Sequence, residues 1–245
     1  MAWSITSLAN YNENASATAS KTTGSLSIPA DSVILVFGQG SRGSGAAWSS
    51  ASIAVSDSVD STTGWVGLDS QVNLGPATFE GGGRAFYKSF TGSTSRTITI
   101  SRSTGTAYWG YSVIAVTGQD TSNPIVQAKG AGTEWDDSGG SHTQSVTLSS
   151  SPTSGNAVVW FLGVNNDGDG AATIPSGYTT LSNPSAQFEA TNAAYHTSTT
   201  SAAINCTDCG EGIQYAVAFA VELLAAGGGG GGGGANTGVS AWFSA

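Results

Sequence analysis

The sequence predicts an all-β protein, an antiparallel, jelly-roll-like β-sandwich built from two similar four-stranded halves. Three observations carry this expectation. No long window spaces its apolar residues by three and four among good helix formers, so no amphipathic helix is expected. Alternating stretches and short apolar runs of β-formers recur instead, separated by clusters of Gly, Ser, Asn, Asp and Pro. Those strands then return in the same order further along the chain.

Residues 1–23 carry Trp3, Ile5, Leu8 and Tyr11 and read either as an N-terminal arm or as the first edge strand. Leu26-Ser27-Ile28 alternates, as a strand with one buried face does. Residues 33–37 (VILVF) are apolar throughout, the mark of a strand covered on both faces. Gly64-Trp65 follows, then the aromatic Ala85-Phe86-Tyr87-Lys88, the alternating Thr97-Ile98-Thr99-Ile100, and a second apolar run at 111–116. The second copy reads Val146-Thr147-Leu148, then the apolar run 157–162, Gly177-Tyr178, Ala193-Ala194-Tyr195-His196, and a last run at 215–224. The copies span 24–126 and 145–224, and their offset shrinks from about 125 to about 104 residues, so the second has shorter loops. Each copy is lean for a core of its own, and 119–143 is a polar joining stretch, which favours one shared sandwich over 24–226.

Only 9% of residues are charged, against a norm of about 25%. The polar surface must come from Ser, Thr, Asn and Gly, a mixture that suits an extracellular or virion β-protein. Weak surface charge does little to prevent association, so the expected partners are copies of the chain itself, as a homo-oligomer, and other virion proteins. The net charge of −9, with seven Lys and Arg, offers no basic footprint for nucleic acid and disfavours an anionic membrane. The start Met1-Ala2-Trp3-Ser4 lacks the basic and apolar regions of a signal peptide. The apolar run 216–226 is broken by Glu222 and too short to span a bilayer. A virion component made in a host cytoplasm fits these features.

The run 227–234 is eight consecutive glycines. Glycine brings no side chain to bury and the greatest backbone entropy to lose, so the run reads as a linker with a root-mean-square reach of roughly 15 Å. Beyond it, 235–245 reads as a C-terminal anchoring peptide whose Val239, Trp242 and Phe243 bind a neighbouring chain. A disordered tail is the other reading.

The strand order resembles a β-sandwich type of bacteriophage virion structural proteins and other large bacterial surface proteins. The residues that carry the resemblance are the run 33–37, Gly64-Trp65, Tyr87-Lys88, the strand 113–116, Gly118-Gln119-Asp120 and Asn123-Pro124. It covers 24–126 closely and 145–224 loosely. It implies a structural or adhesive module, a capsid decoration or tail-associated protein, and transfers no catalytic residues.

Catalytic constellations are thin, and the expectation is a non-enzymatic protein. His196 falls at an alternating strand position and His142 in a Gly/Ser-rich loop, neither with a nameable partner. Gly38-Gln39-Gly40-Ser41-Arg42-Gly43 lacks the helix a dinucleotide loop requires. Cys206 and Cys209 read as loop thiols or a local disulfide, with metal binding and redox chemistry as the alternatives. Asn165, Asp167 and Asp169 crowd short oxygen ligands between glycines, which suits calcium, although the glutamate of an EF-hand loop is missing and a solvated loop is the other reading. No other cofactor is implied. Trp48 and Trp135, on Gly/Ser-rich loops, are the candidates for stacking on a surface glycan, whereas Trp65 and Trp109 read as core. Glycan binding, as in a carbohydrate-binding adhesin or host-recognition domain of a phage fibre, is the alternative to assembly.

Overall fold

The computed structural model describes residues 2–12, 16–44, 47–74, 80–135, 142–166, 172–184, 189–209 and 213–227. The protein is an all-β sandwich, and among the described residues there is no α-helix. The strands are β1 (Ser4–Asn12), β2 (Ser20–Thr22), β3 (Leu26–Ile28), β4 (Ser32–Ser44), β5 (Ile53–Asp57), β6 (Val66–Leu74), β7 (Gly81–Phe90), β8 (Thr94–Arg96) and β9 (Ile98–Arg102). They continue with β10 (Thr106–Thr117), β11 (Ile125–Glu134), β12 (Gln144–Thr147), β13 (Ala157–Asn166), β14 (Thr179–Ser182), β15 (Glu189–His196), β16 (Ala203–Cys206) and β17 (Ile213–Leu223).

Two five-stranded antiparallel sheets form the centre, ordered β1-β10-β4-β7-β6 and β11-β17-β13-β15-β14. The orders are the same once β11, β17, β13, β15 and β14 stand for β1, β10, β4, β7 and β6. The registers agree as well. Leu35 lies between Ile114 and Tyr87, and Val159 lies between Val221 and Tyr195. Val66 faces Tyr87 as Thr179 faces Tyr195. Each half therefore supplies one whole sheet of the central sandwich. The recurring unit includes β1 and β11, which lie before residues 24 and 145. Residues 4–12 form an edge strand, and the polar stretch 119–143 contains β11.

The apolar runs are explained by a layer on each side. Side chains of a strand alternate between faces. From β4, Val33, Leu35 and Phe37 enter the core shared with the other large sheet, while Ile34 and Val36 enter a second core. That second core is closed by the small sheets β2-β9-β5 and β3-β8, through Leu26, Ile28, Ile53, Val55, Ile98 and Ile100. On the far side, Val158, Trp160 and Leu162 of β13 meet Val146 and Ile204 of the two-stranded β12-β16 sheet, while Ala157, Val159 and Phe161 face the shared core. At the centre Phe37 stacks on Phe161 at 5.5 Å and tilts against Phe219 at 5.7 Å. Aromatic pairs at such separations add about 0.5–1.5 kcal/mol beyond their area burial.

The edges of the two large sheets meet side to side. On one side β1 lies against β14 and β15, and on the other β6 lies against β11. These sides are related by the same exchange of halves. The first is bonded across: Asn10 Nδ2 donates to Thr191 O at 2.9 Å and to Ser182 Oγ at 3.1 Å, and Thr191 N–H donates to Asn12 Oδ1 at 2.9 Å.

Candidate functional site

The sequence motif Gly64-Trp65 and the pair Tyr87-Lys88 converge on one cluster. Asp57, the last residue of β5, is fully buried at its carboxylate. Its Oδ1 accepts the N–H groups of Val59 at 3.0 Å and Asp60 at 2.9 Å, which shapes the turn after β5. Its Oδ2 accepts the Trp65 indole N–H at 3.0 Å and Lys88 Nζ at 2.8 Å. Lys88, on β7, also reaches Asp60 Oδ2 at 2.9 Å and Thr63 O at 2.8 Å, and Arg96 Nη1 bonds Asp57 Oδ1 at 2.6 Å and Asp60 Oδ2 at 2.5 Å. Burial works to raise the Asp57 pKa. Hydrogen bonds from Lys88, the Asp60 and Val59 amides and Arg96 outweigh it and hold the carboxyl well below the usual range. Gly64 sits at φ 81°, and a Cβ there would lie 3.2 Å from Lys88 Cε. The second half repeats the glycine–aromatic geometry: Gly177 at φ 83° precedes Tyr178, whose ring meets His196 edge-on at 5.4 Å.

A second buried polar cluster lies between the large sheets. Glu189 accepts from Tyr215 Oη at 3.0 Å and from Asn165 Nδ2 at 2.8 Å, and Gln39 Nε2 donates to the Val164 and Ala190 carbonyls at 3.3 Å. Burial pushes the Glu189 carboxyl up to about 7, against the opposing hydrogen bonds from Ser41, Asn165, Tyr215 and Gln39. Burial first, and then the charge of Glu189, push the Tyr215 phenol well above its ordinary value.

The candidates from sequence are placed as follows. Val239, Trp242 and Phe243 lie outside the described residues, as do Asp167 and Asp169 and all of the glycine run beyond Gly227. Asn165 is described, and its amide is spent on Glu189. Among the described residues no three His, Cys, Asp or Glu gather as a metal site. Trp48 corrects the expectation of exposure: it is 1% exposed, tilted against Trp109 at 6.2 Å, with the Arg102 guanidinium 4.7 Å over its ring. Glycines make its pocket, since a Cβ at Gly82 would collide with the Trp48 indole nitrogen and the Val72 carbonyl. A buried ring offers no face to a sugar. Trp135 is half-buried and stacked on His142 at 4.6 Å, with both rings nearly parallel. Trp109 is core as expected, and Trp65 packs half-buried against it. Cys206 and Cys209 are free, fully buried thiols, with Cys209 Sγ donating to Cys206 O at 3.8 Å. The hydrogen bond between the two thiols lowers the Cys206 pKa and raises that of Cys209. His196 Nδ1 accepts the Ser198 N–H at 3.0 Å.

The side where β6 meets β11 carries a groove of 640 Å³ lined by 66–69, Tyr87 and 122–128. Val66 and Val126 on its rim are 46% and 44% exposed, two of the three large apolar side chains exposed among the described residues. Asp69, at φ 55°, closes one end. Its Oδ2 accepts Gly130 N–H at 2.9 Å and lies 3.3 Å from Lys129 Nζ. No family model, no curated protein and no solved structure matches the chain. Fold and geometry define the class as a duplicated β-sandwich whose buried polar clusters tie loops and sheets together, with a groove on the side where β6 meets β11.

Proposed function

We propose that the chain is a non-enzymatic virion structural protein, a capsid decoration or tail-associated protein, that assembles through sandwich contacts and a C-terminal arm. The observation that carries this reading is the open β6–β11 side, where two valines stand in water beside a groove. Exposed apolar surface around a concave site marks interaction surfaces. The rest of the design is in keeping with it. The Asp57 and Glu189 clusters have every named partner inside the fold, and only 9% of residues are charged, which leaves association little opposed. A glycine linker would then add a second contact at an effective concentration in the millimolar range. Glycan binding is the weaker reading, since it loses Trp48 as a stacking platform.

Light scattering on size-exclusion eluates, with negative-stain images, tests the proposal. The full chain is expected to form defined oligomers, and a chain ending at Gly227 to form smaller ones. Full-length protein that stays monomeric at its highest soluble concentration would overturn the reading.

A further inference from the structure

We infer that the groove between β6 and β11 is the receptor for this chain's own C-terminal segment, residues 235–245, with the Trp242 and Phe243 side chains as its occupants. The inference rests on the proposed reading of that segment as an anchor and adds the surface that receives it.

The place where the body ends is the first argument. The last described residues start beside the groove at Leu224 and run back along 118–120. Leu224 N–H donates to Pro124 O at 2.9 Å, Asp120 N–H donates to Leu224 O at 2.8 Å, and Ala226 N–H donates to Gly118 O at 2.9 Å. Pro124 and its neighbours Ser122 and Asn123 line the groove. Gly227 is therefore three residues, about 10 Å of chain, beyond Leu224, which is bonded to Pro124 of the groove wall. From there the glycine run reaches roughly 15 Å on average. The fifteen residues from Gly227 to Trp242 have a root-mean-square reach of roughly 20 Å, long enough for residue 242 to reach the groove of the same copy or of a copy beside it.

The chemistry is the second argument. The groove wall sets apolar Val66, Pro124, Ile125 and Val126 among Ser122, Asn123 and Gln127, and its one charged residue, Asp69, is paired with Lys129 outside it. Residues 235–245 read ANTGVSAWFSA and carry no charged side chain, so docking there buries no side-chain charge. A volume of 640 Å³ is within the roughly 300–1,000 Å³ range of sites that enclose compact apolar ligands.

The third argument comes from the duplication. The pseudo-equivalent side of the sandwich, where β1 meets β14 and β15, is bonded across by Asn10 and Asn12. The β6–β11 side has its crossing bonds at Asp69 alone among the named groups, and the stretch from there to the chain exit stays open. Two related edges of one fold have been finished differently.

A photo-crosslinking experiment on the full chain tests this. A benzophenone amino acid replaces Phe243, and the adducts are mapped by mass spectrometry. Adducts on 66–68 or 122–128, reduced at least tenfold by Val66→Glu with Val126→Glu, support the inference. Both valines are on the surface, and unchanged melting shows that the double variant is folded. Adducts elsewhere on the body, or none, overturn it. If the double variant keeps tail-dependent self-association, the groove is wrong while the anchor reading survives. If deleting 228–245 leaves assembly unchanged, the anchor reading fails on its own account.

Discussion

Lys88 Nζ lies 2.8 Å from Asp57 Oδ2, an ion pair whose carboxylate is fully buried and whose ammonium is 8% exposed. The pair joins the end of β5 to the middle of β7 and holds the turn that carries Gly64 and Trp65. Removing one member of such a pair leaves the other charge buried without compensation, at a cost of about 3–5 kcal/mol. Asp57→Ala leaves Lys88 and Arg96 only the exposed Asp60 carboxylate, and it also frees the Val59 and Asp60 amides and the Trp65 indole N–H. The expected loss in urea denaturation is therefore within that range. Lys88→Met should cost less, since Arg96 still faces both carboxylates. A loss below about 1 kcal/mol for Asp57→Ala would show that the cluster is dispensable.

Stability should have opposite pH slopes from two carboxyls. Asp57 has its pKa depressed in the fold, so its contribution is present above the unfolded value of about 4 and is lost as the pH falls through the folded one. Glu189 is raised to about 7. Between about pH 4.5 and 7 the fold holds that proton more tightly than the unfolded chain, so stability falls as pH rises through this window and then levels off. The fall is on the order of 3 kcal/mol. Glu189→Gln keeps the site neutral at every pH. Denaturation midpoints at pH 5 and pH 8 should differ for the wild type and converge for this variant. Equal slopes in the two proteins would refute the assignment.

The two halves make a paired prediction at Gly64 and Gly177. Both adopt positive φ, where an L-residue loses roughly 1–2 kcal/mol. Gly177→Ala adds a Cβ 3.3 Å from the His196 ring, and Gly64→Ala adds one 3.2 Å from Lys88 Cε. The backbone cost should be shared, and Gly64→Ala should cost more, since its Cβ crowds the Lys88 chain whose ammonium is held by three charged or carbonyl partners, while His196 is held by one hydrogen bond from Ser198. Thermal melts of the two variants side by side check the order.

How much of this was legible in the sequence differs by element. The two-sided burial of β4, β13 and β17 follows from the apolar runs 33–37, 157–162 and 215–221, and Lys88 stood out beside Tyr87. Asp57 and Glu189 gave no signal, because a carboxylate in a strand acquires meaning only from partners 31 and 26 residues away, as with Lys88 and Tyr215. Trp48 looked exposed because its neighbours are Gly, Ser and Ala. The room for its ring is made by Gly40 and Gly82 on other strands, which no local window contains. Strand β11 was hidden because, as an edge strand, it buries little and alternates weakly. The groove was hidden with it, since it exists only where β11 lies against β6.

The two sides of the sandwich should respond differently to substitution. Thr191 is fully buried, and its N–H has Asn12 Oδ1 as acceptor across the sheets. Asn12→Ala leaves that donor buried without the carbonyl it was aimed at, which costs about 1–3 kcal/mol. Asn10→Ala removes the amide that reaches Ser112, Ser182 and Thr191 together and should cost a similar amount. On the other side, Val126→Ala shortens a side chain already 44% exposed, and the change should stay within about 0.5 kcal/mol. Urea denaturation of the three variants measures the contrast. If Val126→Ala destabilised the protein as much as Asn12→Ala, the β6–β11 side would be as essential to the fold as its counterpart.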